Sequence, residues 1–186
     1  MLGNGRPFVI DMLNAHKIRY TQDEMFELER KINAGSVDIV VRDLQIVDKD
    51  QVLVLKEGEE TKKKTYSCVV WISREVTPEV LATIANTGSI IAYQSTPVRV
   101  LHRRVAAVRE KTVEKMSAIK INSHFLKLTL TTQAGTYIKE FVHGDLGRTT
   151  PNIGQLLGCE ADIIQLDVEE VDLNWPPPIE HLNKAK

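Results

Sequence analysis

Hydrophobic and polar positions change period several times along the chain, and each change predicts an element. Residues 6–13 (Arg6-Pro7-Phe8-Val9-Ile10-Asp11-Met12-Leu13) are rich in β-formers and follow a Gly3-Asn4-Gly5 loop, which predicts a short strand. Thr21 with Glu24 three residues later makes a capping box for a helix over 22–33. Met25, Leu28 and Ile32 share one face of that helix and charges occupy the other, and Gly35 stops it. Val37, Ile39 and Val41 then alternate with Asp38, Val40 and Arg42, so a strand follows and continues or bends through 44–47. Residues 56–64 are charged, contain a glycine and lack large apolar groups, which predicts a surface hairpin loop. Residues 65–72 form a β-rich run centred on Tyr66, Val69, Val70 and Trp71.

The second half continues in the same manner. Thr77-Pro78 is an N-cap followed by proline at the first helical position; the helix runs to about Asn86 and Gly88 closes it. Residues 90–93 and 98–109 are strand-like. Over 123–131, Leu126, Leu128 and Leu130 point one way and Lys127, Thr129 and Thr131 the other. Gly135 permits a sharp turn, and a threonine-capped helix starts near Thr136 or Tyr137 and ends near Gly144. A helical turn is expected at 153–157. Ile163, Ile164, Leu166, Val168, Val171 and Leu173 form a final strand system, ended by Trp175-Pro176-Pro177-Pro178. Antiparallel-looking strands with interspersed helices predict an α+β fold: a mixed, mainly antiparallel sheet with flanking helices.

Composition narrows the class. A chain of 186 residues is one domain, or one domain cut from a larger protein. With 42% hydrophobic and 26% charged residues it is globular rather than disordered. Cys68 and Cys159 have no CxxC neighbours, so they give neither zinc spacing nor a disulfide framework and read as buried or idle thiols in a reducing compartment. No apolar run reaches transmembrane length, and Met1 is followed by Gly3, Asn4, Gly5 and Arg6 rather than a signal peptide. The expectation is an intracellular protein of the nucleus or cytoplasm.

The net charge of -1 announces no nucleic-acid partner, so the placement of charges decides. Arg99, His102, Arg103, Arg104, Arg109 and Lys111 crowd one stretch with only Glu110 against them. Glu160, Asp162, Asp167, Glu169, Glu170 and Asp172 give the tail the opposite sign. Clustered arginines suit a phosphate backbone, because each guanidinium binds oxygens through two N–H groups. A solvated face with salt bridges to the acidic tail explains the same pattern. Lys62, Lys63 and Lys64 make a second basic spot, equally readable as a solvated hairpin tip beside Glu57, Glu59 and Glu60.

The richest stretch is Gln133-Ala134-Gly135-Thr136-Tyr137-Ile138-Lys139-Glu140-Phe141-Val142-His143-Gly144-Asp145-Leu146-Gly147-Arg148. Ile138 and Phe141 face one way with Val142 beside them, and Lys139 sits one residue from that apolar face, within reach of a buried carboxylate. The stretch resembles the third motif of pseudouridine synthases of the TruB type. Its longer form is similar to that of the archaeal and eukaryotic synthases of the TΨC arm of tRNA, the tenth Pus family. Further blocks agree in order: Leu2-Gly3-Asn4-Gly5-Arg6-Pro7-Phe8, Val41-Arg42-Asp43-Leu44, Lys64-Thr65-Tyr66-Ser67, Thr96-Pro97-Val98-Arg99-Val100-Leu101-His102-Arg103-Arg104, Ala161-Asp162-Ile163-Ile164-Gln165-Leu166-Asp167-Val168-Glu169 and Trp175-Pro176-Pro177.

The resemblance implies the pseudouridine synthase catalytic fold, truncated at its N-terminal side, and an isomerase that needs no cofactor or metal. It implies tRNA as partner, no membrane, and a monomer. An aspartate attacks a flipped uridine, the glycosidic bond breaks, the base turns, and a carbon–carbon bond reforms. Tyr66 matches the tyrosine that stacks on the base and assists proton removal. Lys139 matches the cation that keeps the aspartate ionised. Ile138 and Leu166 match apolar walls of the pocket, a role compatible with plain core packing. Arg99, Arg103, Arg104 and Lys64 are RNA-binding candidates from charge and placement.

The family's nucleophile block, Gly-Arg-Glu-Asp-x-Asp-Val-Arg, precedes the block that starts here at Leu2, and so does its RNA-binding module with CxxC metal pairs. Asp11, Asp43 and Asp145 cannot replace the nucleophile, because each lies in a block matched elsewhere. Residues 1–186 are therefore expected to be a partial catalytic domain, inactive alone, with Lys139 shifted in pKa or turned outward and with a sheet edge exposed. The alternatives are a non-catalytic RNA-binding fragment or, more remotely, an interaction domain.

Overall fold

The computed structural model describes residues 5–173, 175, 176 and 179, with the backbone alone over 56–60. Leu2, Gly3, Asn4, Asn174, Pro177 and Pro178, invoked in the sequence blocks or adjoining them, lie outside the described residues. The chain divides into two compact units, one spanning Glu59–Asp172 and the other Arg6–Gly58 with the residues from Leu173 onward.

In the smaller unit the capping box holds. The helix α1 (Gln22–Gly35) starts at Thr21, whose hydroxyl accepts from Glu24 N while the Glu24 carboxylate accepts from Thr21 N. Its inner face is narrower than expected: Met25 is buried, Ile32 half-buried and Leu28 exposed. Neither predicted strand forms. Val37, Ile39 and Val40 are exposed, as are Ile10, Met12 and Leu13. A strand needs a partner ladder, and here side chains of α1 take that place. The Asn33 amide donates to Val41 O and accepts from Val41 N, both at 2.8 Å, and Gln22 donates to Leu44 O at 2.9 Å. The predicted hairpin loop over 56–64 is also corrected. The helix α2 (Lys49–Thr61) runs through it, opened by Asp48 and Gln51, each of which bonds the other's backbone N–H.

The larger unit is a six-stranded sheet in the order β5-β2-β3-β4-β1-β6, with antiparallel pairing between every pair of neighbours. Its strands are β1 (Lys64–Ile72), β2 (Ile90–Ser95), β3 (Val108–Lys120), β4 (Phe125–Thr132), β5 (Thr149–Thr150) and β6 (Ala161–Val171). The helices α3 (Pro78–Asn86), α4 (Ile138–His143) and α5 (Ile153–Leu157) complete it. This is the expected α+β class. Cys68, Val70 and Ile72 of β1 and Leu126, Leu128 and Leu130 of β4 face a core shared with Val80 and Ile84 of α3, Ile138, Phe141 and Val142 of α4, and Ile153 and Leu157 of α5. Period-two alternation puts the strand residues on one side, and the helices cover that side.

Two expectations of strand fail here for physical reasons. Residues 98–107 are not strand but a 3₁₀ turn (Val98–Val100) followed by further turns, so the arginines sit on a loop. Pro97 cannot donate to a ladder, and the buried Thr96 hydroxyl closes the loop by donating to Val105 O at 2.7 Å and accepting from Ala107 N at 3.1 Å. Conversely, β3 extends well past 109. A register shift between Val113 and Lys115 breaks its alternation, which hid it in the sequence.

Candidate functional site

Within the larger unit, α4 carries the candidate cation. Gly135 at φ 72° makes the turn that leads into it, as expected. Thr136 does not cap the helix: its hydroxyl donates to Gln133 O at 2.7 Å, and the capping position is Tyr137, which supplies no side-chain cap bond. The fully buried Gln94 of β2 fixes Tyr137 instead. Its amide donates to Tyr137 O and accepts from Tyr137 N, each at 2.9 Å. Ile138, Phe141 and Val142 are buried and Lys139 is exposed, as the helical pattern predicts. Among the described residues no hydrogen bond or ion pair to the Lys139 ammonium is found.

Lys139 borders a cleft of about 310 Å³ whose other walls are Ile163, Ile164, Gln165 and Leu166 of β6. It is an open depression on the surface rather than an enclosed cavity. A bulge shapes the wall. Val69 pairs with Gln165 but Val70 pairs with Ile163, so Ile164 is an extra residue in β6 and is 62% exposed. A second register shift falls between Thr65 and Tyr66. Tyr66 pairs with Val168 and Leu130, lies on the core-facing side of β1, and packs against the cluster that contains Ile138, Phe141 and Val142. It lies on the same side of the sheet as α4 and is not one of the residues that line the cleft. The structure thus brings Lys139 and Leu166 together, places Ile138 in the core beneath them, and sets Tyr66 on the neighbouring strand.

The basic candidates separate. Arg103 and Arg104 are exposed on the turn after the 3₁₀ segment. Lys64 opens β1 and is half-buried, opposite Thr132 and Val171. Arg99 is turned toward α4: its Nε donates to Glu140 Oε1 at 2.7 Å and its Nη2 to Glu140 Oε2 at 3.4 Å. Glu140 is 1% exposed. That hydrogen-bonded pairing raises the Arg99 pKa above its usual range, and the guanidinium also lies 5.9 Å from the centre of the Tyr137 ring. The same segment is tied to the end of α4. Asp145 accepts from Val98 N at 3.2 Å, and Arg148 Nη2 donates to Thr96 O at 2.8 Å. The salt bridges expected between these arginines and the acidic tail do not include Arg99; among the described residues that tail is bridged by Lys127 to Glu169.

Sequence reasoning missed Gln94, Glu140 and the Ile164 bulge. Glu140 projects from the side of α4 opposite Ile138, Phe141 and Val142, so helical periodicity assigns it to water. Its burial comes from a segment distant in sequence, which no local pattern reports. For Gln94 the available signal was a polar residue inside a β-rich run, Ile90-Ile91-Ala92-Tyr93-Gln94.

Residues 1–172 match the family described as Pus10, C-terminal. The chain is 48% identical over 179 residues to tRNA pseudouridine synthase Pus10 of Mus musculus, covering 96% of this chain and 34% of that protein. It is 40% identical over 173 residues to tRNA pseudouridine synthase Pus10 of Thermofilum pendens, covering 92% and 38%. A solved H/ACA ribonucleoprotein bound to a substrate RNA containing 2'-deoxyuridine is similar at 17% identity and a TM-score of 0.44, over 63% of this chain and 31% of that one. The chain spans about a third of the length of the curated relatives it matches. On the match over residues 1–172, the chain belongs to the Pus10 C-terminal family.

Proposed function

We propose that this chain supplies the base-receiving side of an isomerase that converts uridine to pseudouridine in the TΨC arm of tRNA. The observation that supports the reading is that the exposed Lys139 lines a cleft with Ile163, Ile164, Gln165 and Leu166, with Tyr66 on the adjoining strand. Ile163 and Leu166 give the cleft an apolar flank, while Lys139 and Gln165 give it a polar one. A carboxylate placed against Lys139 is held ionised and nucleophilic.

The chemistry balances without cofactor. The C1′–N1 bond of uridine breaks, the base turns, and C1′–C5 forms. The proton on C5 is lost while N1 gains one, a transfer assigned to Tyr66 by its match to the family's tyrosine. Arg103, Arg104 and Lys64 are assigned to the tRNA backbone. A carboxylate is absent from the cleft lining among the described residues, so residues 1–186 by themselves should leave uridine unchanged. That observation also favours the second reading, a platform that binds RNA without chemistry.

Release of tritium from tRNA labelled at uridine C5 separates the two. In the complete protein Lys139→Met should slow release by at least about a hundredfold while leaving tRNA binding in place. No release from the complete protein at all would establish the binding platform, and undiminished release by Lys139→Met would remove the proposed centre.

A further inference from the structure

We propose that Arg99 acts in the reaction as a positioning residue: through Glu140 it fixes the rotation and depth of α4, and thereby the placement of the Lys139 ammonium. The inference rests on the proposed role of Lys139 and goes beyond it, because it removes Arg99 from the RNA-contacting set to which its charge assigned it.

Three features of the helix and its neighbouring turn support this role. First, α4 has only six residues, Ile138–His143, too few to be stable by itself. Its orientation must come from what holds it. Second, its apolar side rests on the core, but a smooth apolar contact leaves a short helix free to roll. Gln94 clamps the capping residue Tyr137 at its start, and on the opposite side Glu140 is held by Arg99, in a contact where two N–H groups engage two carboxylate oxygens. A two-point contact of this kind fixes direction as well as distance. Lys139 precedes Glu140 by one residue, so any roll of the helix about its axis moves both. Third, Arg99 is itself immobilised. Val98 N donates to the Asp145 carboxylate just past the end of α4, and Val100 N donates to Pro97 O at 3.0 Å. The guanidinium therefore hangs from a rigid turn rather than from a free loop.

The segment that carries Arg99 also carries Arg103 and Arg104 a few residues on. Arg103 N donates to Val100 O at 3.0 Å, so the exposed arginines are an extension of the same turn. Division of labour within one turn follows. Arg103 and Arg104 are exposed and hold the polyanion, whereas Arg99, although half of its side chain is also exposed, is turned onto Glu140 and holds the helix.

Phosphate contacts and positioning contacts leave different kinetic signatures, which provides the test. Arg99→Lys retains the charge but removes the fork. The paired change Arg99→Leu with Glu140→Leu removes both charges, so no buried carboxylate is stranded and the fold is kept. Both are made in the complete protein and assayed on C5-tritiated tRNA. The expected result is a kcat lowered about tenfold to a hundredfold with KM for tRNA within about twofold, and an unchanged salt dependence of binding. Amide exchange in the 186-residue chain should quicken at Phe141 and Val142 in Arg99→Lys. A raised KM with intact kcat and a shallower salt slope would make Arg99 a phosphate contact and overturn the proposal, as would wild-type kinetics in both variants. Lys139→Met serves as the reference. If it leaves turnover intact, the reading of the centre fails; if it abolishes turnover while both Arg99 variants keep full kcat, only the positioning role fails.

Discussion

Cys68 shows how strongly one position depends on its surroundings. It is 1% exposed on the core side of β1, and burial, assisted by the nearby Asp167 and Glu169 carboxylates, pushes its thiol up to about 12. In the folded protein the group stays neutral, while the unfolded chain ionises near the ordinary value of 9.0. Its contribution to stability is therefore complete below pH 9.0 and disappears as pH rises toward 12. Chemical unfolding of Cys68→Ala followed from about pH 8 to about pH 11 should show a shallower alkaline decline than the parent, whatever its starting stability. Equal slopes would mean that the thiol is not shielded. This burial was legible in the sequence, because Cys68 falls on the same side of its strand as Tyr66 and Val70. The fate of Arg99 was not: its charge was visible, but the carboxylate that claims it lies 41 residues away.

At the scale of elements, the connection leaving α4 is the most constrained. Gly144, Asp145, Leu146 and Gly147 all have positive φ, at 81°, 47°, 56° and 85°. Two non-glycine residues in succession in that region are costly, and the Asp145 bond to the Val98 turn helps to hold them there. Gly144 also sits where a Cβ would lie 2.6 Å from Asn152 Nδ2. Asn152 caps α5 and donates to Thr149 O, so the clash propagates into the next helix. Gly144→Ala should therefore lower stability by about 1–3 kcal/mol, measured by urea denaturation, whereas Gly35→Ala, with open space around its Cβ, should cost less than about 1 kcal/mol. Helices with caps were readable in advance: Thr21 with Glu24, Thr77 with Pro78, and the end at Gly144. The helix α2 was readable too, had the Asp48–Gln51 pair been weighed above the charge of the segment that follows. The strands that failed, at 6–13 and 37–41, had the right period but no partner, and periodicity reports a face without reporting what will pair with it.

Over the whole molecule, a net charge of -1 conceals a division between the basic loop at 99–104 and the acidic strand β6. The proposed binding of tRNA should accordingly be salt-dependent beyond what the net charge implies. In the double variant Arg103→Ala/Arg104→Ala, the slope of log affinity against log salt should fall by about 0.7–0.9 for each phosphate no longer neutralised. Titration of fluorescent tRNA at several salt concentrations measures it, and an unaltered slope would remove this loop from the interface. The sheet order makes the arrangement of the centre depend on β6, its outermost strand. There the supernumerary Ile164 sets the phase between Ile163 and Leu166: three positions apart, they reach the same face only because one residue is uncounted by the neighbouring strand. Deleting Ile164 would close this bulge and leave the two residues two positions apart, still on one face but drawn closer along the strand, so the extra residue sets the span of the cleft's wall rather than its side.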